Sequence, residues 1–164
     1  MTDRNALNLK EAGLTTKEAG AEWMKNYFRI VQDCSAKTAD CFAAGHYKRL
    51  NGSAIDIFDY TNVNAYVLAS GAAVYVSPRA DGRITFFMDI NGKKGPNIIG
   101  RDVFAVMIYN NGVMDDSGEI AVTDGPLTKE QRDTLFEEHC KKGNGGYWWG
   151  CFGKILNDNW QMTY

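Results

Sequence analysis

The stretch Asp89-Ile90-Asn91-Gly92-Lys93-Lys94-Gly95-Pro96-Asn97-Ile98-Ile99-Gly100-Arg101-Asp102 gathers carboxylates, amides and glycines into one loop. Such a loop could wrap oxygen ligands around Ca²⁺, a hard cation that prefers carboxylate, amide and carbonyl oxygens. Asp89 and Asn91 alternate as in a calcium loop, Asn97 offers a further amide, and Asp102 could supply a closing carboxylate. No bidentate glutamate stands at the expected end, and Lys93, Lys94 and Arg101 bring opposing charge. A site with two anionic ligands would be weak, in the millimolar class of extracellular modules. The competing and favoured reading is a structural loop in which Asp89 and Asp102 bond backbone amides or pair with Arg101.

Cysteine is the second chemically informative residue. There are four, Cys34, Cys41, Cys140 and Cys151, and four cysteines permit three pairings that sequence alone does not choose between. Two local bridges, 34–41 and 140–151, close the shortest loops. Their spacings are wider than the tight C-x₂₋₄-C of zinc sites, which favours disulfides over metal. Oxidised cysteines imply an exported protein.

Other chemistry is thin. His46 and His139 are the two histidines, and neither has a nucleophile and orienting acid in a recognisable pattern. His139 adjoins Cys140, but adjacent helical residues point in different directions. No spacing singles out a glycosidase-type carboxylate pair. The run Gly143–Gly146 lacks the following Lys-Ser/Thr of a phosphate loop. Asn51-Gly52-Ser53 matches a glycosylation sequon, a tripeptide frequent by chance. The chain is therefore expected not to be an enzyme.

Composition agrees with a single packed domain. The chain has 164 residues, 45% apolar and 12% aromatic, with a net charge of −2 from 18 basic and 20 acidic side chains. That is enough apolar surface for a core. Without a basic block there is no nucleic-acid footprint and no polybasic membrane patch. No apolar run approaches the ~20 residues of a membrane span. The start, Met1-Thr2-Asp3-Arg4-Asn5, does not read as a signal peptide.

The elements that must hold these residues follow from periodicity. Residues 1–33 read as an N-terminal helical part, with Thr15-Thr16-Lys17-Glu18 as a capping box on Thr15. Trp23, Tyr27, Ile30 and Val31 recur at helical steps and predict one packing face on a helix ending near Cys34. Residues 35–64 read as a long connection, hiding a short helix or exposed as an interaction surface. Residues 65–114 predict an antiparallel meander, with strands over 65–76, 83–90 and 103–109 and a short return at Val113-Met114. Within 127–164, Thr128 and Gln131 form a capping box for a helix through about Glu138. An aromatic tail with Tyr147, Trp148, Trp149, Phe152 and Trp160 follows.

The order of these features resembles a known group. It runs Cys34…Cys41-Phe42, Tyr47-Lys48-Arg49-Leu50-Asn51-Gly52, Leu68-Ala69-Ser70-Gly71-Ala72, then Asp89-Ile90-Asn91-Gly92…Gly95-Pro96-Asn97…Gly100-Arg101-Asp102-Val103-Phe104. Cys140, Cys151 and Asn157-Asp158-Asn159-Trp160 close it. From about residue 20 onward the chain looks like the globular part of bacterial prepilin-type proteins, the type IV pilins and type II secretion pseudopilins.

The resemblance implies an α+β fold with an N-terminal helix on an antiparallel sheet and a C-terminal segment pinned by a disulfide. It also implies a structural role, a minor pilin or pseudopilin whose partners are other such subunits and whose location is periplasmic or extracellular. Family members reach the membrane through an additional hydrophobic N-terminal helix that has no counterpart in these residues. The expected reading is a trimmed piece of a longer chain, or a protein without that assembly helix. The alternatives are a secreted carbohydrate- or protein-binding module using Trp148 or Trp149, and a small secreted hydrolase.

Overall fold

A computed structural model describes residues 6–117 and 125–164; the expectation for Met1–Asn5 lies outside them. The architecture is α+β. Helix α1 (Lys17–Tyr27) leads into strand β1 (Ile30–Asp33), a small hairpin of β2 (Tyr47–Lys48) and β3 (Ala54–Ile55), then β4 (Asn64–Leu68), β5 (Ala73–Pro78), β6 (Ile84–Asp89), β7 (Val103–Ile108) and β8 (Met114–Asp116). Helices α2 (Lys129–Leu135) and α3 (Cys151–Asn157) follow, with a π-helical segment, Phe136–Lys141, continuing α2. The main sheet has six strands in the order β1-β4-β5-β6-β7-β8, and every pairing is antiparallel.

The meander appears where alternating, β-branched and aromatic residues predict it, with two differences. The run 65–76 is broken by the turn around Gly71 into β4 and β5. The sheet also extends past 65–114 at both edges, through β1 and β8.

Helix α1 corrects the expected packing face. Its cap is Thr16, one residue after the expected Thr15, with the side chain accepting from Ala19 N–H. The helix ends at Tyr27 because Phe28 turns extended, φ −119°. Ile30 and Val31 therefore lie in a strand paired with β4, as suits β-branched residues. Tyr27 and Val31 are 57% and 62% exposed, while Met24 is fully buried. Of the four expected residues, Trp23 does pack inward, edge-on to Phe86 and Phe28, and Ile30 is partly buried against the core. Gly20 lets the helix approach the sheet: a Cβ there would lie 2.5 Å from Pro78 Cγ.

Because side chains alternate across a strand, the register places Val74, Val76, Phe86, Met88, Phe104 and Val106 on one face. Helices α1 and α3 lie on that face. The opposite face, with Tyr75, Phe87 and Asp89, is covered by the segment expected to hide a short helix or lie exposed as an interaction surface; it does hold a short 3-10 helix, Thr38–Asp40. Phe42 stacks on Phe58 at 4.1 Å, and Phe58 meets Tyr47, Phe87 and Trp148 edge-on. Phe42, Tyr47 and Phe58 are each no more than 1% exposed. Phe42, Tyr47 and Phe58 thus add a core layer, while 51–54 and 59–62 stay exposed and polar residues of the segment are spent on turns. Thr38, for example, is buried and bonds the carbonyls of Phe58 and Tyr60.

At the C-terminal end, Thr128 and Gln131 form the reciprocal capping box expected of them. Both disulfides are the local ones, Cys34–Cys41 and Cys140–Cys151.

Candidate functional site

The loop between β6 and β7 is built around two carboxylates. Asp89 ends β6 opposite Val103, the first residue of β7, so Asp102 stands beside it. Asp89 is fully buried and Asp102 is 4% exposed. Asn91 touches both: its backbone N–H donates to Asp89 Oδ1 at 3.2 Å, and its side-chain Nδ2 donates to Asp102 Oδ2 at 3.4 Å. Asp102 also accepts from the N–H groups of Asn97 and Ile98, at 2.7 and 2.5 Å. The second oxygen of Asp89 accepts from the Tyr47 hydroxyl at 2.8 Å.

The favoured structural reading of this loop therefore holds in its first half, since both acids bond backbone amides. Its other half does not: Arg101 is exposed, and neither Asp89 nor Asp102 is in an ion pair among the described residues. Burial pushes the Asp89 carboxyl up to about 6, against the lowering effect of the Tyr47 hydrogen bond. Burial likewise raises the Tyr47 phenol far above its usual range.

All four loop residues expected as oxygen donors, Asp89, Asn91, Asn97 and Asp102, lie together. Two of their oxygens have no partner: Asn91 Oδ1 and Asn97 Oδ1 are buried and unbonded. Among the described residues no group of three or more His, Cys, Asp or Glu converges as a metal cluster; the donors here are two acids and two amides.

A second acidic pair, missed in the sequence, organises the C-terminal segment. Asp115 and Asp116 are fully buried on β8 and, being adjacent, face opposite sides of the sheet. Asp115 takes a bidentate contact from Arg132, 2.8 and 2.6 Å, and accepts from Leu127 N–H. Asp116 accepts from Gly150 and Gly153 N–H at 2.7 and 2.5 Å, capping the start of α3 from outside the helix. Burial raises the Asp116 carboxyl to about 7 although those amides oppose the shift. Two consecutive acids in an otherwise apolar strand were the available signal.

Between α1 and α3 the sheet face is left open as a groove of about 580 Å³, lined among others by Trp23, Phe86, Met88, Phe104, Phe152 and Ile155. Its walls are apolar throughout. The rows Phe86, Met88, Ile90 and Phe104, Val106, Ile108 carried this in the sequence, but the opposite strand face is apolar too, so alternation alone could not separate them.

The remaining candidates are placed as follows. Trp148 is only 8% exposed and packs on Phe87 and Phe58, so it offers no ring to a sugar. Tyr147 and Trp149 stack on each other at 4.3 Å. His139 Nδ1 is within hydrogen-bonding distance of the Asn144 carbonyl. Asn51 of the sequon donates to the Lys142 carbonyl and accepts from Ser53, which fixes the amide in a turn. Among the described residues no helix is long and apolar enough to cross a membrane.

Comparison with protein-family models, with curated proteins and with solved structures returned no match.

Proposed function

We propose that this chain is the globular part of a structural subunit, a minor pilin or pseudopilin of a type IV pilus or type II secretion pseudopilus. It acts by packing and display. Support comes from the antiparallel sheet with a helix on one face, the disulfide that ties α3 to the π-helical segment, and the resemblance carried by the Asp89–Phe104 stretch. The observation that carries the reading is the apolar groove over β6 and β7. A groove with no polar wall has nothing to orient a reacting group, and an apolar cleft of this volume suits an apolar occupant. The occupant proposed is an apolar helix of the filament core, whose side chains would fill the space between α1 and α3.

Immunogold labelling of sheared surface filaments from the source cells tests this, with an antibody against the folded chain. Labelled filaments, lost when Ile90→Asp is introduced at the exposed rim of the groove, are the expected result. Recovery of the chain only in a cytosolic fraction with its thiols reduced would sink the proposal, because both the compartment and the assembly would then be wrong.

A further inference from the structure

We propose that Asn144–Gly145 is a self-modification site, where Asn144 converts to aspartate and isoaspartate through a succinimide ahead of the chain's other asparagine–glycine steps. There are four such steps, at Asn51, Asn91, Asn111 and Asn144. In this reaction the glycine backbone nitrogen attacks the asparagine Cγ and gives up its proton to solvent. The Cγ–Nδ2 bond breaks, and the nitrogen takes up a proton and leaves as ammonia. Water then opens the cyclic imide on one side or the other. Glycine favours the attack because no Cβ hinders it. Two groups must be at liberty, the glycine N–H and the asparagine carboxamide.

At three of the steps the fold ties up both. Gly52 N–H donates to the Arg49 carbonyl, Gly92 N–H to that of Asp89 and Gly112 N–H to that of Tyr109. Asn51 donates from Nδ2 to the Lys142 carbonyl while its Oδ1 accepts from Ser53 N–H. Asn111 spans the Gly125 carbonyl and Val113 N–H in the same way. Asn91 Nδ2 is held by the Gly95 carbonyl and Asp102. Attack at these steps must first break several hydrogen bonds, and each adds to the barrier.

Asn144 differs. It lies with Gly145 and Gly146 on the surface, in the 3-10 turn Asn144–Gly146. A 3-10 turn bonds each N–H three residues back, so the Gly145 N–H, early in the turn, has no partner within it. No loop hydrogen bond holds that N–H among the described residues either. The carboxamide makes one hydrogen bond among them, from Nδ2 to Glu138 Oε2 at 2.6 Å, in contact with solvent.

His139 supplies an activating group. Its Nδ1 lies 3.1 Å from the Asn144 carbonyl oxygen, which only accepts, so Nδ1 carries the proton. That donation draws charge out of the peptide to which the Gly145 nitrogen belongs. The N–H becomes more acidic, and the anion left as its proton departs is stabilised. The product has local consequences. A carboxylate at residue 144 faces Glu138, a like charge, and isoaspartate adds a methylene to the backbone. The Gly146 carbonyl, which accepts from Arg49 Nη2 at 3.1 Å, is thereby displaced, while the Cys140–Cys151 bridge keeps the loop tethered.

The test is peptide mapping with isoaspartate detection on the full, disulfide-intact chain aged at mildly alkaline pH, with the same chain aged in urea beside it. In the folded chain isoaspartate should accumulate at Asn144 at least about tenfold faster than at Asn51, Asn91 or Asn111. In urea the four should react within a few-fold of one another. His139→Phe keeps an aromatic ring against Tyr147 and removes the donor; it should slow Asn144 several-fold in the folded chain and leave its rate in urea unchanged. Asn144→Gln, where attack would close a larger ring, should remove the signal from that peptide without changing the melting temperature. Isoaspartate at Asn51, Asn91 or Asn111 as early as at Asn144, or none at Asn144 while the chain in urea reacts, would overturn the proposal. A folded His139→Phe chain reacting as fast as wild type would refute the role of the imidazole.

Discussion

The Tyr47 hydroxyl donates to Asp89 Oδ2 at 2.8 Å and accepts from Ala43 N–H at 3.0 Å. One oxygen thereby fastens the β2–β3 hairpin to the end of β6, between residues 42 positions apart. A hydrogen bond to a charged group contributes about 1.5–3 kcal/mol. Tyr47→Phe should cost that much by urea unfolding, because both the carboxylate and an amide lose their partner. A variant within about 0.5 kcal/mol of wild type would mean that water replaces the hydroxyl.

Acid should favour the fold through Asp89. Its carboxyl is raised to about 6 by burial, against about 3.9 in the unfolded chain. Between those values the native state holds the proton and the unfolded state does not. Stability is thus full below about pH 4 and lost as pH rises through about 6, by at most about 3 kcal/mol. Asp89→Asn removes this titration. Urea melts from pH 4 to 7 without divalent ions should show wild type losing stability relative to the variant; parallel profiles would contradict the assignment.

Met24 is buried and Val31 is exposed, so their substitutions should separate sharply. Met24→Ala should cost about 2–5 kcal/mol through the cavity it leaves beneath α1. Val31→Thr, β-branched like the original and facing outward, should change stability by no more than about 0.5 kcal/mol. Comparable losses would restore the helical face expected from periodicity.

Gly150 has φ 94°, and a Cβ there would lie 2.3 Å from the Leu135 carbonyl oxygen. Gly146 has a similar positive φ but open space around it. Gly146→Ala should cost about 1–2 kcal/mol, the left-handed strain alone. Gly150→Ala adds a backbone clash and displaces the N–H that holds Asp116, so about 3 kcal/mol or more is expected in thermal or urea unfolding. Similar values for the two would show that α3 shifts without loss.

Replacing either cysteine pair by serine should cost about 2.5–3 kcal/mol by the chain-entropy model for loops this short. Losing Cys140–Cys151 should also loosen α3, read as faster amide exchange across Cys151–Asn157 than in the Cys34/Cys41 variant. Equal exchange in the two would mean that Asp116 alone suffices to hold that helix.

What the amino-acid order determined is local. The Thr128–Gln131 box and the strands β6 and β7 depend on residues within a few positions of one another, where side-chain type and spacing suffice; the two local bridges were the expected pairing, but the fold made the choice. The helical stripe through Ile30 and Val31 failed because a short window of apolar residues fits two periods at once; pairing with β4, over thirty residues away, decided for the strand. Only the tertiary structure could bury Phe42, Tyr47 and Phe58, aromatics scattered too irregularly along 35–64 to announce a layer. The four loop donors were legible because one loop carries them all. Their partner Tyr47, the Asp115–Asp116 supports of α3 and the apolar groove were not. Each of these is made by segments distant along the chain, and a sequence records which side chains exist without recording which of them the fold brings within reach.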